Sequence, residues 1–405
     1  MQKKQTRAFD RSWVLSLFGV AVGAGILFLP INAGLGGFWI VVLLCVIVFP
    51  MVFFAHRALS YFVLSAKESN ADITCVVREH FGENLGKWMT FLYFFAIYPA
   101  CLIYGVGITN TVENFMHMQL HVQPPHRLLL AWGLITLMVL ALIFTEKIML
   151  KITQALVYPL IIILALFSLY LIPYWRLDML LIFPSFADSL KILYTTLPVL
   201  VFAFDYSPAI SNYSLSIRRA YGAQAFGKTS AILWRTSMLL FVFVMFFVFS
   251  CILCVDPAQL QAAKAQNISI LSYFADKFND PLIAYSAPLI AFLAITTSFL
   301  GHYIGAKEGL SGLVAQILHK QGRRTQAGVH GFLYLSMVLV AYANPSVLDF
   351  IENLGGPIIA LMLFILPMYA MYKIPALQPY QNKFSDTFLV VLGLLALSSI
   401  VQGLF

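Results

Sequence analysis

Four groups of residues have the types and spacing to do chemistry. Asp205, Tyr206 and Pro208 interrupt the apolar run TLPVLVFAFDYSPAISNYSLS. Thr296, Thr297 and Ser298 are consecutive hydroxyls in FLAITTSFLGHYIGAKEG, with His302 one turn further on. Gly19, Gly23, Ala24 and Gly25 lie at the centre of WVLSLFGVAVGAGILFLPINAGLGGF, with Pro30 after them. Tyr98, Tyr104, Thr109 and Asn110 make a polar seam in FLYFFAIYPACLIYGVGITNTVENF. Glycine and proline weaken a helix, and unwound backbone inside an apolar run exposes free N–H and C=O groups that suit a zwitterion or an ion. Small residues also allow close helix packing, which the Gly19-x-x-x-Gly23 spacing fits equally. Hydroxyls and free carbonyls are hard oxygen ligands of the kind Na⁺ takes. The same hydroxyls can bond back to their own helix.

The elements that must hold these groups are membrane spans. The 405 residues are 61% hydrophobic and 10% charged, with a mean hydropathy of +0.86. Soluble domains average about 25% charged residues. The pattern reads as an all-α polytopic membrane protein with eleven spans at about 13–32, 38–64, 87–115, 127–145, 148–173, 190–213, 229–254, 281–306, 328–343, 349–373 and 384–404. The start, MQKKQTRAFDR, is basic and leads into a run too long for a signal peptide, so it reads as a retained first helix. Of the 25 Lys and Arg residues, 20 fall on the side of the N-terminus in this reading. That bias places the N-terminus in the cytoplasm and the C-terminus in the periplasm. The net charge of +8 belongs to those loops and implies no nucleic-acid partner. The loop 65–86 has room for a short surface helix in DITCVVREHFG.

Spans 1 and 6 are the two broken ones. An offset of five makes corresponding helices run in opposite directions, as in an inverted repeat of five plus five with the substrate at the midplane. The expected organisation is one transporter domain, with repeats 13–173 and 190–373 and an additional helix 384–404. An acidic residue at mid-membrane costs about 2.5–3.5 kcal/mol on insertion scales and marks a functional site by default. Asp205 is such a residue, and a helix-end cap is its structural alternative. Tyr104 suits a gate over a substrate or simple packing. His302 suits a proton relay or a fixed interhelical hydrogen bond. Glu352, beside Asn353 and Gly355-Gly356-Pro357, suits an outer gate or a solvated interface. Cys251 and Cys254 lie in FVFSCILCV without a partner pair and read as buried apolar residues rather than half a metal site.

GVAVGAGILFLPINAGLGG, FPMVFFAHRAL, YGVGITNTVENFM, AAKAQNISILSYFA, SFLGHYIGAKEG and LGGPIIALMLFILPMYA closely resemble the bacterial hydroxy/aromatic amino acid permease family, and most of all its serine and threonine permease branch. The resemblance spans essentially the whole chain. It implies a LeuT-like fold in the amino acid–polyamine–organocation superfamily. It also implies inner-membrane import of a small neutral amino acid by cation symport, with no cofactor and no obligate protein partner. The substrate carboxylate would sit at Gly23, Ala24 and Gly25. Phe202, Asp205, Tyr206 and Tyr104 would complete that site, and the ammonium group would meet span-1 and span-6 carbonyls and Asp205. The coupling-ion residues would be Val20, Gly23, Thr297, Ser298 and His302. Two departures bear on substrate and ion. Serine permeases of the family carry Asn-His where this chain has Asp205-Tyr206. Family members also typically carry a lysine where this chain has Thr297. A lysine ammonium there can stand in for a cation, whereas Thr297-Ser298 resembles the hydroxyl pair that holds Na⁺. The expectation is therefore Na⁺ symport of L-serine or L-threonine. The alternative is a proton-coupled permease for cysteine, threonine or an aromatic amino acid.

The sequence has no His-Glu-x-x-His or Gly-x-Ser-x-Gly motif to carry an enzyme reading. No span repeats a filter motif that would carry a channel reading.

Overall fold

The computed structural model describes residues 2–68, 70–143, 146–181, 183–278, 280–320 and 322–402, and it is built from helices. Span 1 is two helices, α1 (Gln2–Ala21) and α2 (Ala24–Gly34), bent by 56° where they meet. Gly23 is extended there, at φ −142° and ψ −151°, and separates the two helical ladders. Gly19 and Pro30 do not break the span. Gly19 lies inside α1, where an added Cβ would fall 2.2 Å from Val157, and Pro30 is inside α2.

Span 2 is α3 (Gly37–Leu64). Span 3 lies in α4 (Ile73–Met118), which is two helices divided at Gly82. There φ is +77°, a region open to glycine and strained for other residues. The segment before Gly82 is the short helix expected in the 65–86 loop, and Asp72 caps it by accepting from Cys75 N. Spans 4 and 5 are α5 (Arg127–Leu140) and α6 (Glu146–Tyr170). The last two residues expected in span 4, 144 and 145, lie outside the described residues.

Span 6 is again two helices, α7 (Phe186–Ala203) and α8 (Ser207–Tyr221). Pro208 opens α8 within its first turn, where its missing N–H costs nothing, so the break lies just before it. The chain reverses at Gly222, φ +52°, into span 7, α9 (Ala225–Ile252). Two short helices follow, α10 (Pro257–Ala265) and α11 (Ile270–Lys277), each with a side-chain N-cap. Spans 8 and 9 are α12 (Pro281–Leu318) and α13 (Arg323–Ala343). Span 10, α14 (Val347–Lys373), contains two π-helical turns, Ile351–Gly355 and Leu361–Ile365. The last helix is α15 (Lys383–Gln402), and residues 403–405 at the expected periplasmic end lie outside the described residues.

Among the described residues, eight helices are individually long and apolar enough to cross a membrane, and the bent α1–α2 pair adds a ninth. The expected eleven spans include shorter α5 and also α15, and they separate α8 from α9, which run together as 207–252 by length alone. Large apolar side chains such as Trp88, Leu166, Phe186 and Phe384 are exposed around the bundle, as lipid-facing residues are.

Inside the bundle, α12 packs along α4, with α1 and α8 against it. Glycines on α12 set those approaches. A Cβ at Gly301 would lie 2.4 Å from Val20, one at Gly305 2.9 Å from Pro208, and one at Gly309 3.0 Å from Phe94. Cys251 and Cys254 are buried in this apolar packing, and the Cys254 thiol donates to the Ser250 carbonyl at 3.1 Å.

Candidate substrate and cation site

The two broken spans meet at their breaks. A Cβ on Gly25 would lie 2.6 Å from the Ala203 Cα and 2.8 Å from the Phe202 ring. The first N–H groups of α2 and α8 have no partner within their own helices, and neither do the last carbonyls of α1 and α7. Helix N-termini favour negative charge and C-termini favour positive charge. The breaks thus present both signs within one buried volume, which matches an amino acid zwitterion. Gly23, Ala24 and Gly25 lie at the donor end, and all are buried.

Asp205 is buried between α7 and α8. Its Oδ1 accepts from Ser207 N at 2.8 Å, so one oxygen does cap α8. Among the described residues, its Oδ2 has no hydrogen-bond partner. His56, from the middle of α3, lies 3.4 Å from Oδ1 through Nε2. The His56 Nδ1 is 2.8 Å from the Val52 carbonyl, which fixes the proton on Nδ1, and Nε2 accepts from Tyr206 N at 3.1 Å. The Tyr206 ring stacks on His56 at 3.5 Å, and its hydroxyl lies 3.3 Å from Ser237. Tyr206 is therefore turned toward α3 and α9. His56 was absent from the sequence-based site. The signal was available, since a histidine within the apolar run FPMVFFAHRAL is unusual at that depth.

On the other side of the break the Ser298 hydroxyl donates to the Val20 carbonyl at 2.5 Å, and its oxygen lies 2.8 Å from the Tyr104 hydroxyl. A Cβ on Gly23 would fall 2.5 Å from Ser298 Oγ. His302 Nδ1 lies 2.9 Å from the Ser298 carbonyl, and its Nε2 is 3.5 Å from Tyr104 Oη. Val20, Gly23, Tyr104, Ser298 and His302 thus form one cluster. Thr297 is also buried, but its hydroxyl donates back to the Leu293 and Ala294 carbonyls at 2.9 and 3.1 Å, which leaves its oxygen lone pairs free. The Tyr104 and Phe202 rings stand 6.3 Å apart and join the two halves of the site.

The two ends of the bundle differ. At the end covered by α10 and α11, Asn32 of α2 donates to Glu352 at 2.5 Å and accepts from Thr196 of α7 at 2.7 Å. Lys264 of α10 reaches Glu352 at 3.0 Å and Asp349 at 3.6 Å. Glu352 is thereby part of a seal between both broken spans and span 10, rather than a loose interfacial carboxylate. At the N-terminal end, a cavity of about 260 Å³ runs between α1, α8 and α12, past Trp13, Ser16, Asn212 and Lys307, to Val20 and Gly301.

Residues 12–399 match the tryptophan/tyrosine permease family. The chain is 48% identical to serine transporter SdaC of Escherichia coli (strain K12), over 98% of this chain and 96% of that protein. It is 47% identical, with the same coverage, to serine transporter SdaC of Shigella flexneri. Among solved structures it resembles MhsT in complex with L-phenylalanine, at TM-score 0.61 and 16% identity, covering 97% of each chain. It also resembles a manganese transporter of Eremococcus coleocola, at TM-score 0.64 and 14% identity, covering 97% of this chain and 86% of that one. The fold is thus the LeuT-like one, in which two broken helices face each other at the centre of the bundle.

Proposed function

The chain belongs to the tryptophan/tyrosine permease family, and from that premise we propose that it imports L-serine or L-threonine across a bacterial inner membrane by cation symport. The observation that carries this reading is the pairing of the two helix breaks at Gly25 and Ala203, flanked by Asp205 and the Ser298–Val20 contact. The amino acid carboxylate lies at the N-terminus of α2, over Gly23, Ala24 and Gly25. The ammonium group lies at the carbonyl ends of α1 and α7 and faces Asp205 Oδ2, which has no hydrogen-bond partner among the described residues. Phe202 and Tyr104 close over a small side chain. The relatives named as serine transporters support serine as substrate.

Na⁺ is the cation of this reading. Val20 O, Ser298 Oγ and Thr297 Oγ1 are hard oxygens where α1 ends against α12, and Gly23 lets Ser298 approach. Bound there, the ion fixes the end of α1 and so the donors of α2. Ion and amino acid then strengthen each other's binding by one common factor. His302 holds Ser298 and Tyr104 in place. Rocking of spans 1, 2, 6 and 7 against the rest alternates access. The charge bias puts the N-terminal cavity on the cytoplasmic side and α10 and α11 on the periplasmic side. In that orientation the Glu352 seal is the outer gate, here closed.

A specific observation favours proton coupling as the second reading: His56 of span 2 is buried 3.4 Å from Asp205 at the span-6 break. Uptake of radiolabelled L-serine into proteoliposomes under a Na⁺ or a proton gradient decides between them. Uptake driven by Na⁺ alone, and lost in Thr297→Lys, supports the oxygen site. Uptake driven by protons alone overturns it. No L-serine uptake under either gradient overturns serine as substrate.

A further inference from the structure

Spans 8 and 9 meet across a groove of about 480 Å³ at the end of the bundle that the charge bias places in the cytoplasm. Leu310, Val314 and Leu318 form one wall, four residues apart and so on one face of α12. Val329 and Phe332 of α13 form the other. Gly328 also lines the groove, and a Cβ added there would meet no atom within 4 Å. The trough is thus hollow where α13 withholds a side chain. Leu318 and Phe332 are exposed, as side chains facing lipid are.

The cytoplasmic end of the trough is basic. The chain leaves α12 through His319, φ +49°, and enters α13 at Arg323. Lys320 and Arg324 line the groove beside this turn. Among the described residues, no hydrogen bond or ion pair engages either of them. Other cations on this side are engaged. Arg218 donates to the Leu64, Ala66 and Glu68 carbonyls, Arg57 lies over the Phe53 and Phe54 rings, and Lys373 lies over Tyr369. No Asp or Glu occurs from 309 to 348 to serve as a local partner. Arg323 and Arg324 also open α13, the helix end that disfavours positive charge, and no acidic residue offsets them in that turn.

We propose that this groove binds an anionic phospholipid of the cytoplasmic leaflet. The phosphodiester lies between Lys320 and Arg324, the second offering a planar fork of donors and the first a point charge. An acyl chain lies along Val314 and Phe332, over Gly328. Basic pockets between spans on the cytoplasmic side suit such headgroups. An inorganic phosphate ion would meet the cations but leave the apolar trough empty. A second copy of this chain, docked across a two-fold axis, would set the same cations against one another. α12 also carries Ser298 and His302, so the lipid fastens the cytoplasmic end of a helix that frames the central site. The inference holds whichever ion and amino acid the protein carries.

The test adds phosphatidylglycerol with a photoactivatable acyl chain to the full chain in detergent and maps the cross-linked peptides by mass spectrometry. Labelling is expected within 310–318 and 328–332. Excess plain phosphatidylglycerol should reduce it at least about fivefold, and phosphatidylcholine or inorganic phosphate should not. Lys320→Gln combined with Arg324→Gln should lower it at least about fivefold by removing the charges. Gly328→Leu should lower it as much by filling the trough with both charges in place. These positions are exposed, so thermal melts without added lipid should match the wild type. Unchanged labelling in either variant, or labelling spread evenly over the lipid-facing spans, overturns the site. Protection by phosphatidylcholine or by inorganic phosphate equal to that by phosphatidylglycerol overturns the anionic lipid as its occupant. So does a dimer in detergent that Gly328→Leu dissociates. Neither variant touches the central site, so failure here leaves the transport reading standing.

Discussion

Replacing Glu352 with glutamine should unlock the end of the bundle that α10 and α11 cover. The carboxylate is the hub of that seal, taking Lys264 at 3.0 Å and Asn32 at 2.5 Å. A hydrogen bond to a charged group contributes about 1.5–3 kcal/mol when desolvated. Here the Lys264 side chain is 32% exposed and that of Glu352 16%, so solvent screening reduces the figure. Glutamine also keeps one oxygen for Asn32. About 1–1.4 kcal/mol is a fair net loss, which shifts the balance between closed and open seal roughly 5- to 10-fold. The readout is access to the opposite cavity. Asn212 lines it, so Asn212→Cys, in a chain with its five native cysteines replaced, reports its exposure to a water-soluble maleimide. Opening one end of an alternating-access bundle closes the other. The labelling rate should therefore fall in Glu352→Gln, by at most that roughly 5- to 10-fold factor, and Lys264→Met should move it the same way. An unchanged rate in both would refute the view that this network holds the seal.

Ser298→Ala removes the hydroxyl bonded to the Val20 carbonyl and leaves a buried acceptor bare, a loss of about 1–3 kcal/mol. If Na⁺ is the coupling ion proposed above, its concentration for half-maximal uptake should rise at least about fivefold, with less change in maximal rate. Gly25→Ala forces a Cβ to within 2.6 Å of the Ala203 backbone, where no flexible side chain can yield. Uptake should fall at least about tenfold, and overpacking should lower stability by about 1–3 kcal/mol in a thermal melt. His56→Phe keeps the stack on Tyr206 but removes the acceptor for Tyr206 N, so serine binding should weaken more than thermal stability does. Asp276 of α11 is half-buried, and that burial raises its carboxyl above the ordinary 3.8, although Asn114 and Gln119 donate to it. A raised folded value gives stability that is present in acid and lost as pH rises through it. The melting temperature of the wild type relative to Asp276→Asn should therefore decline as pH climbs from below 3.8.

The architecture was readable because its causes are local. A glycine cluster in one apolar run and Asp205 in another mark two interrupted helices, and the distribution of Lys and Arg sets the alternation of loops. What was not readable depends on rotation about helix axes and on distant partners. The sequence cannot say that Thr297 turns back on its own helix while its neighbour Ser298 reaches across to Val20, since 100° of helix phase separates them. Nor does it show that Tyr206 faces Ser237 and His56 rather than the cluster around Tyr104. Gly19, Gly23 and Gly25 look alike in the sequence. One packs against Val157, one forms the break, and one meets the opposite break.

The π-helical turns of span 10 bear on how this chain should be compared with others. Such a turn holds one residue more than an α-turn, so each is in effect a one-residue insertion absorbed without a loop. Gly355 and Gly356 stand at the end of the first. A Cβ on Gly355 would lie 3.2 Å from Phe202, and one on Gly356 2.2 Å from the Pro198 carbonyl oxygen. Deleting a residue between 351 and 355 would straighten the turn into ordinary α-helix and leave everything beyond it on nearly the face it now presents. A single-residue gap at this point in an alignment is thus a local event: the residues on either side of it keep the same faces toward α7, and only the width of the turn beside Phe202 changes.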